Sequence, residues 1–165
     1  MEINIGAVQR LASPAPFGLV SVRTPEGKTN LTAVSWWTFA SNHPPLVAVC
    51  LSKKGLSGEL IAQDGEFGLS LVDESLRDAA YACGTCSGRK VDKPEQFGIE
   101  LREPKLITAP LVERAKVAME CRLESVTDAS DHNLFLARIV AVHCREELNH
   151  LYAWEGYKRL ESIHR

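Results

Sequence analysis

The chain lacks several things that would each settle its function at once. It has no excess of basic charge: nineteen Lys and Arg face twenty-one Asp and Glu, for a formal net charge of -2. An electrostatic footprint for DNA, RNA or anionic lipid is therefore missing. No apolar run approaches the roughly 20 residues needed to cross a bilayer, and MEINIGAVQRLASPAPFG has no basic start followed by an apolar core. Both point to a cytoplasmic protein with no membrane partner and no nucleic acid partner. There is no GxSxG elbow, no HExxH, no Walker motif and no dinucleotide GxGxxG, so familiar hydrolytic, zinc-protease and nucleotide signatures are absent. Five cysteines, an odd number, in a chain without a secretion signal favour reduced thiols over a disulfide framework.

What is present fits one globular domain over residues 1–165, with 45% apolar residues. Six segments rich in Val, Leu, Phe, Trp and Thr alternate as half-buried strands do. They are FGLVSVR (17–23), LTAVSWWTF (31–39), LVAVCLS (46–52), FGLSLV (67–72), VAMECRLESV (117–126) and LFLARIVAV (134–142). TPEGKT predicts a hairpin turn between the first two, and Pro44-Pro45 ends the second and turns the chain. Helices are predicted over SGELIAQDG, with Ser57 as N-cap, and from Asp73 to Gly84, with Leu76, Ala79, Ala80 and Cys83 on one buried face. Residues 85–110 read as a long surface connection with little regular structure. The pattern predicts a mainly β protein, an antiparallel barrel that is closed or nearly so.

Four features offer chemistry. Cys83-Gly84-Thr85-Cys86 is a CxxC, which could be a redox dithiol or half a zinc site. The second close ligand pair that zinc wants and the parallel βαβ setting of a dithiol are both missing, which favours a chance pairing at a helix end. Ser52-Lys53-Lys54-Gly55-Leu56-Ser57 lies between a strand end and a helix start, where two lysines, hydroxyls and free helical N–H groups could hold a phosphate. A solvated basic loop is the alternative. Trp36 and Trp37, adjacent on a strand, must face opposite sides, so one is left to cover a ligand, a partner or a dimer interface. Asp131-His132 is an acid–imidazole pair before a strand, read either as a turn or as a dyad.

These pieces in order resemble the flavin reductase-like, FMN-binding split-barrel family, the group of flavoredoxins and small NAD(P)H:flavin oxidoreductases. The resemblance rests on NLTAVSWWTFASNHPPLVAVCLS followed by the Lys/Ser loop, on CSGRKVDKPEQFG, on DHNLFLARIVAV, and on LYAWEGYKRLES with Tyr157 at a recurrent tyrosine. The loop departs from relatives that carry Arg, an aromatic or His there, and Pro94 interrupts a usual Lys-Phe pair. The resemblance implies a six-stranded antiparallel Greek-key split β-barrel that dimerises, with FMN near the subunit interface. It implies that Asn30, Thr32, Ala33, Val34 and Ser35, with Trp36 beside them, line the isoalloxazine and ribityl groups. Ser52, Lys53, Lys54 and Ser57 would hold the phosphate. His132 would position NADH or NADPH, with no catalytic side chain and no metal required. The implied activity is NAD(P)H:flavin oxidoreduction. The alternatives are an FMN electron carrier of the flavoredoxin kind serving a redox protein, and a thiol or zinc protein using Cys83 and Cys86.

Overall fold

The structure, a computed structural model, describes residues 3–164. The chain begins with α1 (Ile5–Leu11) and β1 (Ala15–Pro16), then β2 (Gly18–Arg23), β3 (Thr29–Val34), β4 (Trp37–Asn42) and β5 (Pro45–Ser52). α2 (Leu56–Asp64) leads to β6 (Glu66–Val72), a single 3-10 turn over Glu74–Leu76, α3 (Arg77–Cys83) and α4 (Lys93–Phe97). Two short strands follow, β7 (Leu101–Arg102) and β8 (Leu111–Val112). The long pair β9 (Ala115–Ala129) and β10 (His132–Cys144) precedes β11 (Leu151–Trp154) and β12 (Arg159–Ser162). Among the described residues no helix is long and apolar enough to cross a membrane.

All six predicted strand segments form strands, but the expected six-stranded barrel is corrected in two ways. The main sheet has seven strands, in the order β3-β2-β6-β9-β10-β5-β4, and its ladder does not close. The extra strand arises because LTAVSWWTF is not one strand. It breaks at Ser35 and Trp36 into β3 and β4, which occupy opposite edges of the sheet. From Val34 to Trp37 the chain takes three Cα steps, at most about 11 Å, so the sheet must curl until its edges nearly meet there. The Cys50 N–H donates to the Trp36 carbonyl at 2.8 Å, stitching β5 to this link. The predicted β2–β3 hairpin is present, and Pro44 and Pro45 turn β4 into β5.

Alternation along β3 separates two cores. Val34 joins Val20, Val49, Phe67, Met119 and Phe135 inside the curled sheet, with Leu60 and Ile61 of α2 packed against them. Leu31 faces the other way, into a second cluster with Phe17, Leu19, Ala80, Cys83 and Leu151. The helix predicted over 73–84 is split: Asp73 caps the 3-10 turn by accepting from the Ser75 N–H, and α3 starts only at Arg77. Ala80 and Cys83 are buried as the spacing predicts, with Leu76 and Ala79 packed beside them. Residues 85–110 are more ordered than predicted, carrying α4 and β7.

The strap leading to β8 is fastened by Glu120, whose side chain is fully buried. Its carboxylate accepts from the Lys105 and Leu106 N–H groups at 2.8 and 2.6 Å and lies 2.7 Å from His143 Nε2. Burial alone would raise its pKa; His143 and the two backbone donors outweigh that and hold it below the ordinary 4.5. A depressed carboxylate contributes stability that is present above 4.5 and is lost as pH falls through the folded-state value. Glu120→Gln leaves buried donors short of an acceptor and is expected to lower unfolding free energy by about 2 kcal/mol at neutral pH. In urea titrations the gap between wild type and variant should shrink on acidification.

Candidate functional site

Two chemistries meet at the gap between the sheet edges. Asn30 and Thr32 share the face of β3 that carries Val34, and α2 brings Ser57 against them. Asn30 Nδ2 donates to Ser57 Oγ at 2.9 Å, and Thr32 Oγ1 lies 2.8 Å from the same oxygen. Ser57 is therefore not the helix cap predicted. Gly55 is the N-cap, without a side chain to bond, and the first-turn N–H groups of α2 carry no side-chain cap. The Ser57 hydroxyl, 1% exposed, turns instead to residues 25 and 27 positions back in the sequence. Asn30 Oδ1 is buried with no donor.

Gly88 closes over this cluster. A Cβ there would stand 1.9 Å from Asn30 Oδ1, so the Ser87-Gly88-Arg89 turn approaches only because it has no side chain at that point. Lys93, four residues beyond Arg89, ties the same segment to β3 and to the end of α3. Its ammonium, 3% exposed as a residue, donates to the Leu31 and Cys83 carbonyls, both at 2.7 Å. Burial lowers its pKa. Because Leu31 C=O points off the free edge of β3, period two aims the backbone groups of Ala33 the same way. That leaves an edge able to take hydrogen bonds beside the cluster.

The other half lies across the gap. Trp36, 40% exposed, stacks at 4.9 Å and 39° on His132. Trp37 packs on the inner core, edge-on to Phe39, so one indole lies outside and one inside, although Trp36 belongs to the link and not to a strand. His132 Nδ1 lies 2.8 Å from Asp131 Oδ1, and that contact holds the Asp131 carboxyl below its usual range. His132 pairs in register with Ser52, so the Lys/Ser loop starts beside the stacked rings and ends at Ser57. Tyr157 closes the rim next to Ser35: burial raises its pKa, while the Ser35 hydroxyl and N–H oppose the rise.

The loop lysines differ. Lys53 forms an ion pair with Asp128 near the β9–β10 turn, and its N–H donates to the Asp131 carbonyl at 3.0 Å. Its charge is thus engaged away from Asn30, Thr32 and Ser57. The Lys54 N–H donates to Ser52 Oγ at 3.3 Å, and its ammonium has no ion pair among the described residues. Arg89 and Lys93 carry no role in the reading of the sequence, yet both sit at this site. The signal was the CSGRKVDK segment itself, whose ordering over Asn30 depends on Gly88.

Residues 10–161 match the family described as the flavin reductase like domain. The chain belongs to the flavin reductase-like family. It is 28% identical over 166 residues to an uncharacterized protein of Aeropyrum pernix, covering 99% of this chain but only 63% of that one. It is 32% identical over 123 residues to the NADH-dependent flavin reductase StyB of Pseudomonas fluorescens, covering 74% of this chain and 68% of StyB. Among solved structures, the FMN-binding protein of Thermus thermophilus with bound 1-cyclohex-2-enone superposes with a TM-score of 0.83 at 28% identity, covering 93% and 88% of the two chains.

In this flavin reductase-like chain the first cysteine of the CxxC packs into the second core. Cys83 is 1% exposed in the second core and burial pushes its thiol up to about 12. Cys86 Sγ lies 3.6 Å from the Ala82 carbonyl. Among the described residues no three His, Cys, Asp or Glu side chains gather as a metal site. Thiolate is the reactive form, so iodoacetamide in mildly alkaline buffer is expected to modify exposed Cys144 and to spare Cys83 and Cys121 until the protein is unfolded. Peptide mass mapping reads the order.

Proposed function

We propose that the chain binds FMN and works as an oxidoreductase, passing electrons from NADH or NADPH through the flavin to a second acceptor. The observation that carries this is the Asn30–Thr32–Ser57 cluster at the uncapped first turn of α2. A phosphate accepts from hydroxyls and helical N–H groups. The free edge at Ala33 offers a backbone donor and acceptor for the polar rim of an isoalloxazine, and Val34 seals the inner side. Ser52 and Lys54 complete the phosphate end; Lys53 contributes less, being paired with Asp128.

The bound flavin would supply the hydride acceptor and electron store. The chain's own part is positioning. Trp36 and His132, their planes inclined by 39°, form an aromatic wall against which a nicotinamide ring can lie, with Asp131 holding the imidazole's orientation through Nδ1. Ring-to-ring transfer gains chiefly from such pre-alignment, which in favourable cases lowers a barrier by about 7–11 kcal/mol. Homodimerisation belongs to the same proposal, supported by exposed Phe39 on β4 and exposed Leu134 and Val142 on β10.

Anaerobic titration of the FMN-loaded protein with NADH and NADPH should bleach the flavin absorbance, with steady turnover on added free FMN. Protein that keeps FMN but takes electrons from neither nicotinamide would be a carrier for protein partners instead. Ser57→Ala and Lys54→Ala should each weaken FMN by about tenfold and riboflavin much less, with Lys53→Ala milder than Lys54→Ala. Equal losses for FMN and riboflavin would remove the phosphate assignment.

A further inference from the structure

The CxxC at the end of α3 leads straight into the turn that covers Asn30, and the FMN reading gives it no task. Past Ala82 the chain winds more tightly: the Gly84 N–H donates to the Tyr81 carbonyl and the Thr85 N–H to the Ala82 carbonyl, both at 3.0 Å. In such i→i+3 winding, side chains three apart eclipse, which sets Cys83 and Cys86 on one side of the turn. Cys86 is near enough for its charge to raise the Cys83 thiol, and the Lys93 ammonium interacts with both. The two thiols differ in access. Cys83 is buried, while Cys86 is half-buried with its Sγ 3.6 Å from the Ala82 carbonyl.

That difference assigns an order of reaction. Cys86 meets an oxidant first, and Cys83, held back by burial, acts second. A mechanical constraint accompanies it. A disulfide needs its Cβ atoms about 3.5–4.5 Å apart, closer than the roughly 5–6 Å of side chains three apart on a helical turn. Cys83 is fixed by the second core and by its carbonyl's bond to Lys93, so Cys86 must do the moving. Ser87 follows at once. The turn after it shifts as a unit, since Ser87 accepts from the N–H groups of Arg89, Lys90 and Val91. Gly88, inside that unit, is the residue packed against Asn30 with no room for a Cβ.

We propose that Cys86 and Cys83 are a modification site for hydrogen peroxide, closing to an internal disulfide that draws the Gly88 turn off Asn30 and loosens the ligand held there. In the first step the Cys86 sulfur attacks one peroxide oxygen and the O–O bond breaks. The other oxygen leaves as water with the thiol proton, and Cys86 becomes a sulfenic acid. In the second step the Cys83 sulfur attacks the Cys86 sulfur, the S–O bond breaks, and a second water carries off the Cys83 proton. The two thiols together lose two electrons and two protons, which the peroxide takes up. A dithiol reductant reverses the change by thiol–disulfide exchange. The effect on the ligand rests on the reading that a flavin phosphate lies at Asn30, Thr32 and Ser57.

Trypsin makes the bond readable, because residues 78–89, DAAYACGTCSGR, form one peptide that holds both cysteines. After hydrogen peroxide, and alkylation of the unfolded protein, that peptide should be unalkylated and two hydrogens lighter than the dithiol, and dithiothreitol should restore it. Two alkyl groups on it at peroxide levels that oxidise exposed Cys144, or a sulfinic acid at Cys86 with no disulfide, overturns the inference. Oxidised protein should bind FMN about tenfold more weakly and recover with dithiothreitol, while Cys86→Ser keeps its affinity through peroxide. Hydrogen exchange over residues 87–92 reads the movement without any flavin, and oxidation should speed it. A disulfide that changes neither exchange nor FMN affinity overturns the link to Gly88. Faster exchange with FMN affinity unchanged, or in a protein that takes up no FMN, supports the modification site and overturns the flavin reading of the Asn30 cluster.

Discussion

Two residues, Ser35 and Trp36, join strands that lie at opposite edges of a seven-stranded sheet. This covalent constraint decides the curvature. Edges that must be connected over about 11 Å cannot splay, so the sheet wraps its inner core around Phe67, Met119 and Phe135, and α2 covers what the strands leave open. The gap that remains is where polar groups collect, because backbone at an unpaired edge must find partners. Lys93 satisfies one carbonyl of that edge; the groups beside it are free to serve a ligand.

Much of this organisation was legible in the residues. Strand composition located every long strand and Pro44-Pro45 located the β4–β5 turn, while the expected split of Trp36 and Trp37 into one indole outside and one inside is met although Trp36 is not in a strand. The break within LTAVSWWTF was not legible, since Ser35 and Trp36 have strand-like neighbours on both sides. Only the strand order of the whole sheet assigns the halves to different edges. Ser57 misled for a related reason. A serine after a strand end reads as a cap, but its hydroxyl finds Asn30 and Thr32, partners set by tertiary packing and not by local spacing.

Residues 85–110 show the limit most clearly. Their lysines and charge read as a solvated surface, yet Lys93 is buried with two carbonyls to hold it. A charged residue enters a core only where its donors are answered, and that answer comes from β3 and the end of α3. The flavin reductase-like resemblance contained this segment, so the family pattern carried information that composition did not. The departures from the family pattern sit in the Lys53-Lys54 loop and at Pro94.

The short link at Ser35 and Trp36 also fixes which cuts the chain can survive. A circular permutant opened at Gly27, in the β2–β3 turn, would still keep the sheet's two edges covalently bound. One opened at Ser35 would keep every strand and every ladder bond but release the seam, leaving two bare strand edges free to find each other in another molecule. The seam is thus what keeps the sheet's pairing within a single chain.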